Sequence, residues 1–517
     1  MKAITFLSTV IHLKPEQIMF RIIRNMYTPG FRLVEHPDTV CFKHQTHSIS
    51  KPISLNDDVF TFLNVSSVLK TWDDDSHGPL WAYNLNYMDW ICQPGITPDE
   101  CALWIDRFIS DLPQNSVGLA PYPTALRCIN WIKFFCDNQS YATPGRINNL
   151  NSQLRLLSRK TERDIGGNHL LEDAFALAIG ASFFGDGRMA RKAARILNRE
   201  LKRQILPDGA HYEQSPMYHC ILLDRLLDCI NYTSCHSQDS LFPAGFNSIL
   251  TRYAASMTGH LKSIVWPDGT IPLLNDSAYG IAPQYSGLLD YACRLGVQQA
   301  PIPMKECGYR RLTDSRIDAI VDIGNITAGN QPGHSHADTF SYELRIDGKP
   351  FIIDTGISTY NKDDRRQYER STQAHNTVTV GGKDSSKVWG GFRVARRARV
   401  KIGQDSDTLV EASHNGYGRN AIHSRSFRLE SGSFTIQDTC HTTKDTVSRI
   451  HFAPDVNILS ADTSRIVTDR GTIQIEGAVR LEIMDAESSV EYNVPRTGKV
   501  AEISFRDTLV YSLHVNP

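Results

Sequence analysis

Three short stretches of the chain gather residues that could move protons or hold a cation. The first is Gly166-Gly167-Asn168-His169-Leu170-Leu171-Glu172. A helix beginning near Asn168 would set Asn168, His169 and Glu172 three and four apart, on one face of its first turns. An amide and an imidazole would then point into a cleft, oriented by Glu172. The plainer role is an N-cap at Asn168 followed by ordinary helix. The second stretch runs from Asp208 to His219 (DGAHYEQSPMYH). Ser215-Pro216 reads as a helix cap and a first-turn proline, which puts Tyr218 in the first helical turn. The positive end of a helix favours an anion, which would help a phenol exchange protons near neutral pH. A core tyrosine is the alternative. The third stretch is Gly333-His334-Ser335-His336-Ala337-Asp338, at the opening of a strand pattern. His334 and His336 are two apart and would share one side of an extended strand. Asp354 follows at the end of FIID, and His375 in AHNT. His336, Asp354 and His375 are suitable ligands for zinc or a similar ion, though the spacing is not that of a local zinc finger. Hydrogen-bonded polar residues in turns would carry the same letters.

Charge adds a fourth feature. Residues 362–401 hold 11 Lys plus Arg against the four acids Asp363, Asp364, Glu369 and Asp384, a local balance of +7. The chain as a whole has 55 basic and 56 acidic residues, which disfavours a globally basic nucleic-acid binder. A local basic patch would attract an acidic polymer or phosphate. A solvated strand face would look the same.

Two kinds of element must position these residues. Residues 60 to about 300 carry helical patterns at 123–136, 168–184, 188–205 and 215–230, with apolar positions three and four apart. Antiparallel helices of this kind make a bundle or a toroid. After about residue 306 the pattern turns to short runs rich in Val, Ile, Phe, Tyr and Thr. These lie at 317–326, 338–346, 350–354, 376–381, 394–402, 425–430, 433–438, 472–484 and 503–514, with turns such as Asp347-Gly348, Gly381-Gly382 and Ser431-Gly432. That reads as an antiparallel β-sandwich. The expected division is residues 1–305 helical and 306–517 β, with a site in the cleft between them.

Composition sets the outer limits. The chain has 517 residues, 41% hydrophobic and 21% charged, which is ordinary globular composition. No run of 18 apolar residues offers a membrane span. The start, MKAITFLSTVIHLKP, lacks a small-x-small cleavage site, and residues 15–26 read as an amphipathic helix. Eleven cysteines, an odd number without a CxxC pair, read as reduced core thiols. The expectation is a cytoplasmic protein, with the periplasm as the alternative.

The motifs taken together resemble the heparinase II/III-like polysaccharide lyases, which include relatives acting on alginate and other uronate glycans. The carriers are NHLLE at 168–172, DGAHYEQSPMYH at 208–219, PDGTIPLLNDS at 267–277 and GHSHADTFSYEL at 333–344. FIIDTG at 351–356, STQAHNTV at 371–378, NLNYMDWI at 84–91 and APYPTALRCINWI at 120–132 add to them. The resemblance implies an incomplete (α/α) toroid followed by an antiparallel β-sandwich, and β-elimination at a uronic acid. It implies Asn168 and His169 as the groups that offset the uronate charge, Tyr218 as base and acid, and His334 as the second proton-transfer residue. It further implies sugar contacts from Tyr87, Tyr122, Arg127 and Asn130, with Glu172 either orienting His169 or contacting the sugar. The metal triad would be His336, Asp354 and His375, holding a structural divalent ion that is often zinc in the family, and the partner would be an acidic polysaccharide.

Two other functions fit part of the pattern. A glycoside hydrolase needs two carboxylates flanking the scissile bond, for which Asp208, Glu213 and Asp276 are candidates. A glycan-binding protein without chemistry would use the basic stretch and the aromatic residues near 81–90 and 122–131.

Overall fold

A computed structural model of the chain describes residues 2–35, 40–234, 241–430 and 432–516. Ser431 of the expected Ser431-Gly432 turn lies outside the described residues.

Helix starts are written plainly in the chain. The helices Pro15–Met26, Pro79–Tyr87, Pro98–Asp111, Pro121–Asp137, Pro144–Lys160 and Pro216–Thr233 each open on proline. Proline there loses no hydrogen bond and its φ is already helical. The helix Gly187–Gln204 turns Met189, Ala190, Ala193, Ala194, Leu197 and Leu201 inward, as the spacing over 188–205 predicts. It packs against Gly167–Phe184, which is buried on nearly every side by its neighbours Pro121–Asp137, Pro144–Lys160 and Pro216–Thr233. One feature of this half departs from the helical expectation. Residues 55–68 form a three-stranded antiparallel sheet of Leu55–Asn56, Val59–Phe62 and Val65–Val68. Its two tight hairpins take positive φ at Asp57-Asp58 and at Leu63-Asn64, the backbone hand that matches strand twist.

From Tyr309 onward the chain is mainly strand. Among the described residues, hydrogen bonding joins fourteen strands into one antiparallel sheet. The sheet centres on its last strand, Val494–Val515, which pairs with Gly471–Glu491, Ser433–Cys440 and Thr446–Phe452. Sequence reading placed two short strands at 472–484 and 503–514. The structure instead has a hairpin of 21 and 22 residues, turning at Asn493 with positive φ. Strands this long exceed the usual 5–6 residues, and the polar residues between 485 and 500 hide them. The strands Leu409–His414, Thr446–Phe452, Ile458–Asp462 and Arg465–Thr468 were likewise not anticipated.

Each half has its own apolar core. Tyr309, Ile320, Ile357 and Tyr492 from the sheet half pack into the helical core, so the halves interlock. Arg311 donates to the carbonyls of Ser263 and Val265 at 3.1 and 3.0 Å, and the Tyr279 amide donates to Val490 O at 2.7 Å. No helix among the described residues is long and apolar enough to cross a membrane.

Candidate functional site

Tyr218 stands where the cap predicts. Ser215 Oγ accepts from the Tyr218 amide at 3.2 Å, and Pro216 opens the helix Pro216–Thr233. The Ser215 hydroxyl donates in turn to Asp276 O at 2.6 Å, so the start of this helix is fastened to the non-helical loop after Trp266. Above the half-buried Tyr218 ring lies the imidazole of His334. The two rings stack with centroids 3.9 Å apart. Tyr218 comes from the helical half and His334 from the sheet half. Burial pushes the Tyr218 phenol above its ordinary range, partly opposed by the hydrogen bond from Tyr360, whose hydroxyl donates to Tyr218 Oη at 3.2 Å. Tyr360 Oη also lies 3.3 Å from His334 Nδ1.

Asp276 organises the sheet side. One carboxylate oxygen sits 2.8 Å from His334 Nδ1 and the other 2.8 Å from His336 Nε2. Arg366 grips both oxygens, at 2.5 and 2.6 Å. All four side chains are buried. Burial alone would raise the Asp276 carboxyl, but the Arg366 guanidinium holds it well below the usual carboxylate range. The carboxylate of Asp276 orients the His334 ring through Nδ1, which turns Nε2 away from Asp276. Glu213 lies on that side, with Oε2 3.5 Å from Nε2. Gly333–Asp338 was expected to open a strand, yet the strand begins at Tyr342. The loop is instead fixed by distant groups: Asn275 Oδ1 accepts from the His336 amide at 2.9 Å, and Arg370 donates to Ser335 O at 2.8 Å. His334 and His336 therefore do reach one target, through a shared carboxylate rather than through strand alternation.

Asn168 and His169 sit in the first turn of Gly167–Phe184, whose N-cap is Gly166 rather than Asn168. Gly167 takes φ +59°, and a Cβ there would lie 2.6 Å from Glu213 Oε1. That same oxygen accepts from the Asn168 amide at 3.2 Å, so only glycine lets Glu213 approach this closely. Asn168 Oδ1 is buried and without a hydrogen-bond partner among the described residues. The His169 side chain is 27% exposed, and its Nδ1 lies 2.9 Å from Glu162 Oε2. Burial would lower the His169 pKa, but the surrounding carboxylates, Glu162 first and then Glu213 and Glu172, together raise it. The expected orienting residue was Glu172, on the same helix. The structure corrects this: Glu162 holds His169, and Glu172 is fully buried with neither oxygen hydrogen-bonded among the described residues. Burial lifts the Glu172 carboxyl to about 8.

The remaining expected contacts divide into front and back. The Tyr122 ring lies 4.5 Å from the His169 ring and 5.8 Å from Tyr87, so these two tyrosines border the site. Arg127 and Asn130 stand behind them, 0% and 1% exposed. Arg127 donates to Asn86 O at 2.9 Å and Gly118 O at 2.6 Å, and Asn130 donates to Tyr87 O at 3.0 Å. Both hold the end of Pro79–Tyr87 in place from the interior. Gln17 is a link that no motif announced. Its amide nitrogen donates to Ile165 O at 2.8 Å and to Asn330 O at 3.5 Å, joining the loop before Asn168 to the loop before His334.

His336, Asp354 and His375 lie deeper, under the sheet side. His375 Nδ1 is 2.7 Å from Asp354 Oδ2, and the His336 and His375 rings are 5.2 Å apart. His336 Nδ1 and His375 Nε2 are buried without hydrogen-bond partners among the described residues. Two unclaimed imidazole nitrogens beside a carboxylate are a donor set that suits a divalent ion of zinc type. Their donor atoms do not all fall within 4.8 Å of one another, as those of two other groups do: His44, His47 and Asp137, and Asp208, His260 and Cys307.

Part of the basic stretch is spent inside the protein, where Arg366 and Arg370 are buried, while Lys362, Lys383, Lys387, Arg393, Arg396, Arg399 and Lys401 are exposed. Arg366 serves Asp276, Arg370 serves Ser335, Arg365 pairs with Glu369 at 2.8 Å, and Arg396 donates to the carbonyls of Ser385 and Asp384. Of the exposed cations, Lys362 and Arg393 lie near Tyr360, where Arg366 Nε donates to Gly391 O at 3.2 Å and the Phe392 ring lies 5.3 Å from that of Tyr360.

Known proteins resemble the chain over most of its length. Residues 147–287 match the family described as heparinase II/III N-terminus, and residues 297–510 match heparinase II/III-like, C-terminal. The heparin-sulfate lyase of Pedobacter heparinus is 26% identical over 371 residues, covering 65% of this chain and 52% of that protein. The heparin-sulfate lyase of Bacteroides thetaiotaomicron is 25% identical over 317 residues, covering 53% and 44%. The chain thus spans about half the length of the curated relatives it matches. Among solved structures, heparinase III superposes with a TM-score of 0.66 at 16% identity, over 89% of this chain and 80% of that one. A heparan sulfate lyase from Pedobacter heparinus superposes at 0.59 with 17% identity, over 96% and 87%. At these identities the superpositions establish a common fold.

Proposed function

The chain belongs to the heparinase II/III-like family, and from that premise we propose that it is a polysaccharide lyase that cuts a uronate-containing acidic glycan by β-elimination. The observation that carries this reading is the stacked pair of Tyr218 and His334, one from each half, 3.9 Å apart. Elimination removes the C5 proton beside the uronate carboxylate. The released electron pair forms the C4=C5 bond, the C4–O4 bond breaks, and O4 takes up a proton. In this reading Asn168 and His169 offset the carboxylate charge, which otherwise makes the C5 proton hard to remove. His169 is suited to that task because Glu162 favours its charged form. Tyr218 serves as base and acid. His334, oriented through Nδ1 by Asp276, takes the second proton-transfer role.

The heparin-sulfate lyases among the relatives favour a glycosaminoglycan as the substrate. Lys362 and Arg393 are exposed cations available to its anionic groups, and Tyr87 and Tyr122 offer faces for sugar rings. In this reading His336, Asp354 and His375 hold a structural zinc ion, which would supply a fixed charge beneath the loops that carry His334 and Asp276. The helices belong to an incomplete toroid, the sheet folds as a sandwich, and the protein works in the cytoplasm.

The glycoside hydrolase alternative loses its carboxylates. Asp276 is gripped by Arg366. Asp208 accepts from the backbone amides of Lys305 and Cys307 at 3.0 and 2.9 Å, and Glu213 is buried against the Asn168 amide. None stands free beside a scissile bond.

The test is ultraviolet absorbance during incubation with heparan sulfate, heparin, hyaluronan, chondroitin and alginate. The expected result is a rise from the conjugated C4=C5 product on at least one polymer. Tyr218→Phe should lower that rate by about 10³-fold, within the range for loss of a general acid–base group, with the fold intact. Full activity in Tyr218→Phe would overturn the assignment, and saturated products from any polymer would point to hydrolysis.

A further inference from the structure

Away from the site, the turn that begins the second motif meets the first strand of the sheet half. Asp208 lies in a tight turn closed by the Leu206 amide donating to Ala210 O at 2.8 Å. Gly209 in that turn has φ +81°, and any Cβ there would strike the carbonyl of Ser256. The turn is thereby pressed against the helix Phe246–Ile264, which carries His260. From the other side comes Cys307, just ahead of the strand Tyr309–Thr313. Asp208, His260 and Cys307 are 4%, 3% and 0% exposed, and each offers a donor atom within 4.8 Å of the other two. His260 Nδ1 is buried and without a hydrogen-bond partner among the described residues.

We propose that Asp208, His260 and Cys307 form a metal site for a thiophilic divalent ion of zinc type, riveting the helical half to the start of the sheet.

The donor chemistry fits such an ion. Carboxylate, imidazole and thiolate are all common zinc ligands. Three backbone amides, of Ala210, Lys305 and Cys307, already donate to the Asp208 carboxylate. A carboxylate has about four lone-pair sites, which leaves one for a metal. Thiolate plus carboxylate would balance a dication in a buried place where net charge is costly. His260 Nδ1, bare among the described residues, offers the imidazole donor. Loading breaks one S–H bond, forms one metal–sulfur bond and releases one proton to solvent. Donors of a tetrahedral site with bonds of about 2.0–2.3 Å lie roughly 3.3–3.8 Å apart, a spacing that donors already within 4.8 Å of one another approach.

The site also bears on Tyr218. The His219 ring lies 5.1 Å from that of His260, and His219 directly follows Tyr218 on its helix. A filled site would stiffen the base of the turn from which that helix starts.

Cobalt(II) separates this site from the His336, Asp354 and His375 group, because only a thiolate gives an intense near-ultraviolet charge-transfer band. The full-length protein would be purified from cobalt-supplemented cultures and also refolded with cobalt. The expected result is such a band with the intensity of about one thiolate-bound cobalt per chain, and release of one proton as that centre fills. The band should be absent in Cys307→Ser, and cobalt binding should weaken roughly tenfold or more in His260→Gln, which leaves the thiol in place. No charge-transfer band in the wild type overturns the proposal. A band that survives unchanged in both variants assigns it to another cysteine and overturns it equally.

Discussion

The two halves of the molecule supply their site residues in opposite ways. On the helical side, Tyr218, Asn168 and His169 all stand in first turns of helices, and Tyr218 and His169 are half-open to solvent. Their positions follow from caps and glycines a few residues away. On the sheet side, His334, His336, Asp354 and His375 all lie outside strands, buried among charges. Their positions follow from side chains tens of residues distant. A helix terminus is a local device, whereas an irregular buried loop must have each of its polar groups satisfied from elsewhere. The helical side should therefore tolerate change at its edges and lose chemistry alone, while the sheet side should lose stability and chemistry together.

Asp276→Asn is the most severe way to probe that contrast. It keeps the shape but leaves Arg366 charged and unpaired in the interior, a loss of about 3–5 kcal/mol. Urea unfolding would measure it. A loss under about 1 kcal/mol would mean the sheet side is not held together by this carboxylate.

Gly167→Ala tests the helical side. The left-handed backbone and the approach of Glu213 together should cost about 1–2 kcal/mol, with activity falling alongside. A neutral outcome would mean that Glu213 moves aside freely and does not position Asn168.

Glu162→Gln should produce the mildest effect, under about 1 kcal/mol, because His169 is partly exposed. Its sign depends on pH. Glu162 raises the folded-state pKa of His169, so its stabilisation is fully present below the unfolded value of about 6.5. It disappears as pH rises through the raised folded value. The urea midpoints of wild type and variant should differ at pH 6 and converge under alkaline conditions. A difference that stays constant with pH would assign Glu162 a purely packing role.

The same contrast explains what could be read from residues alone. Tyr218 was legible because Ser215 and Pro216 announce a helix start within three positions. The helices at 168–184 and 188–205 were legible from their periodicity, and most strands from their β-branched runs. Glu162 was missed because its partner His169 lies across a bend in the chain, while Glu172 stood at the more obvious helical spacing. Asp276 and Glu213 lay inside quoted motifs, but only the fold sets one between two histidines and the other beneath Gly167. Arg366 was visible only as one charge among eleven. Tyr360 and Gln17 had no local signal, since their partners are contributed by remote loops. The long final hairpin was hidden by its polar middle.

The clasp of Arg366 on Asp276 also bears on timing. The chain is made from its N-terminus, so the helical half with Asp276 emerges while Arg366 is still about ninety residues away. Until the sheet closes, that carboxylate is hydrated and the two stacked rings have not met. Docking must strip water from a full ion pair, which makes it a late and costly step of folding. Under the proposed function, a nascent or half-folded chain would have no power to cut a glycan, and activity would appear only when the last strands lock into place.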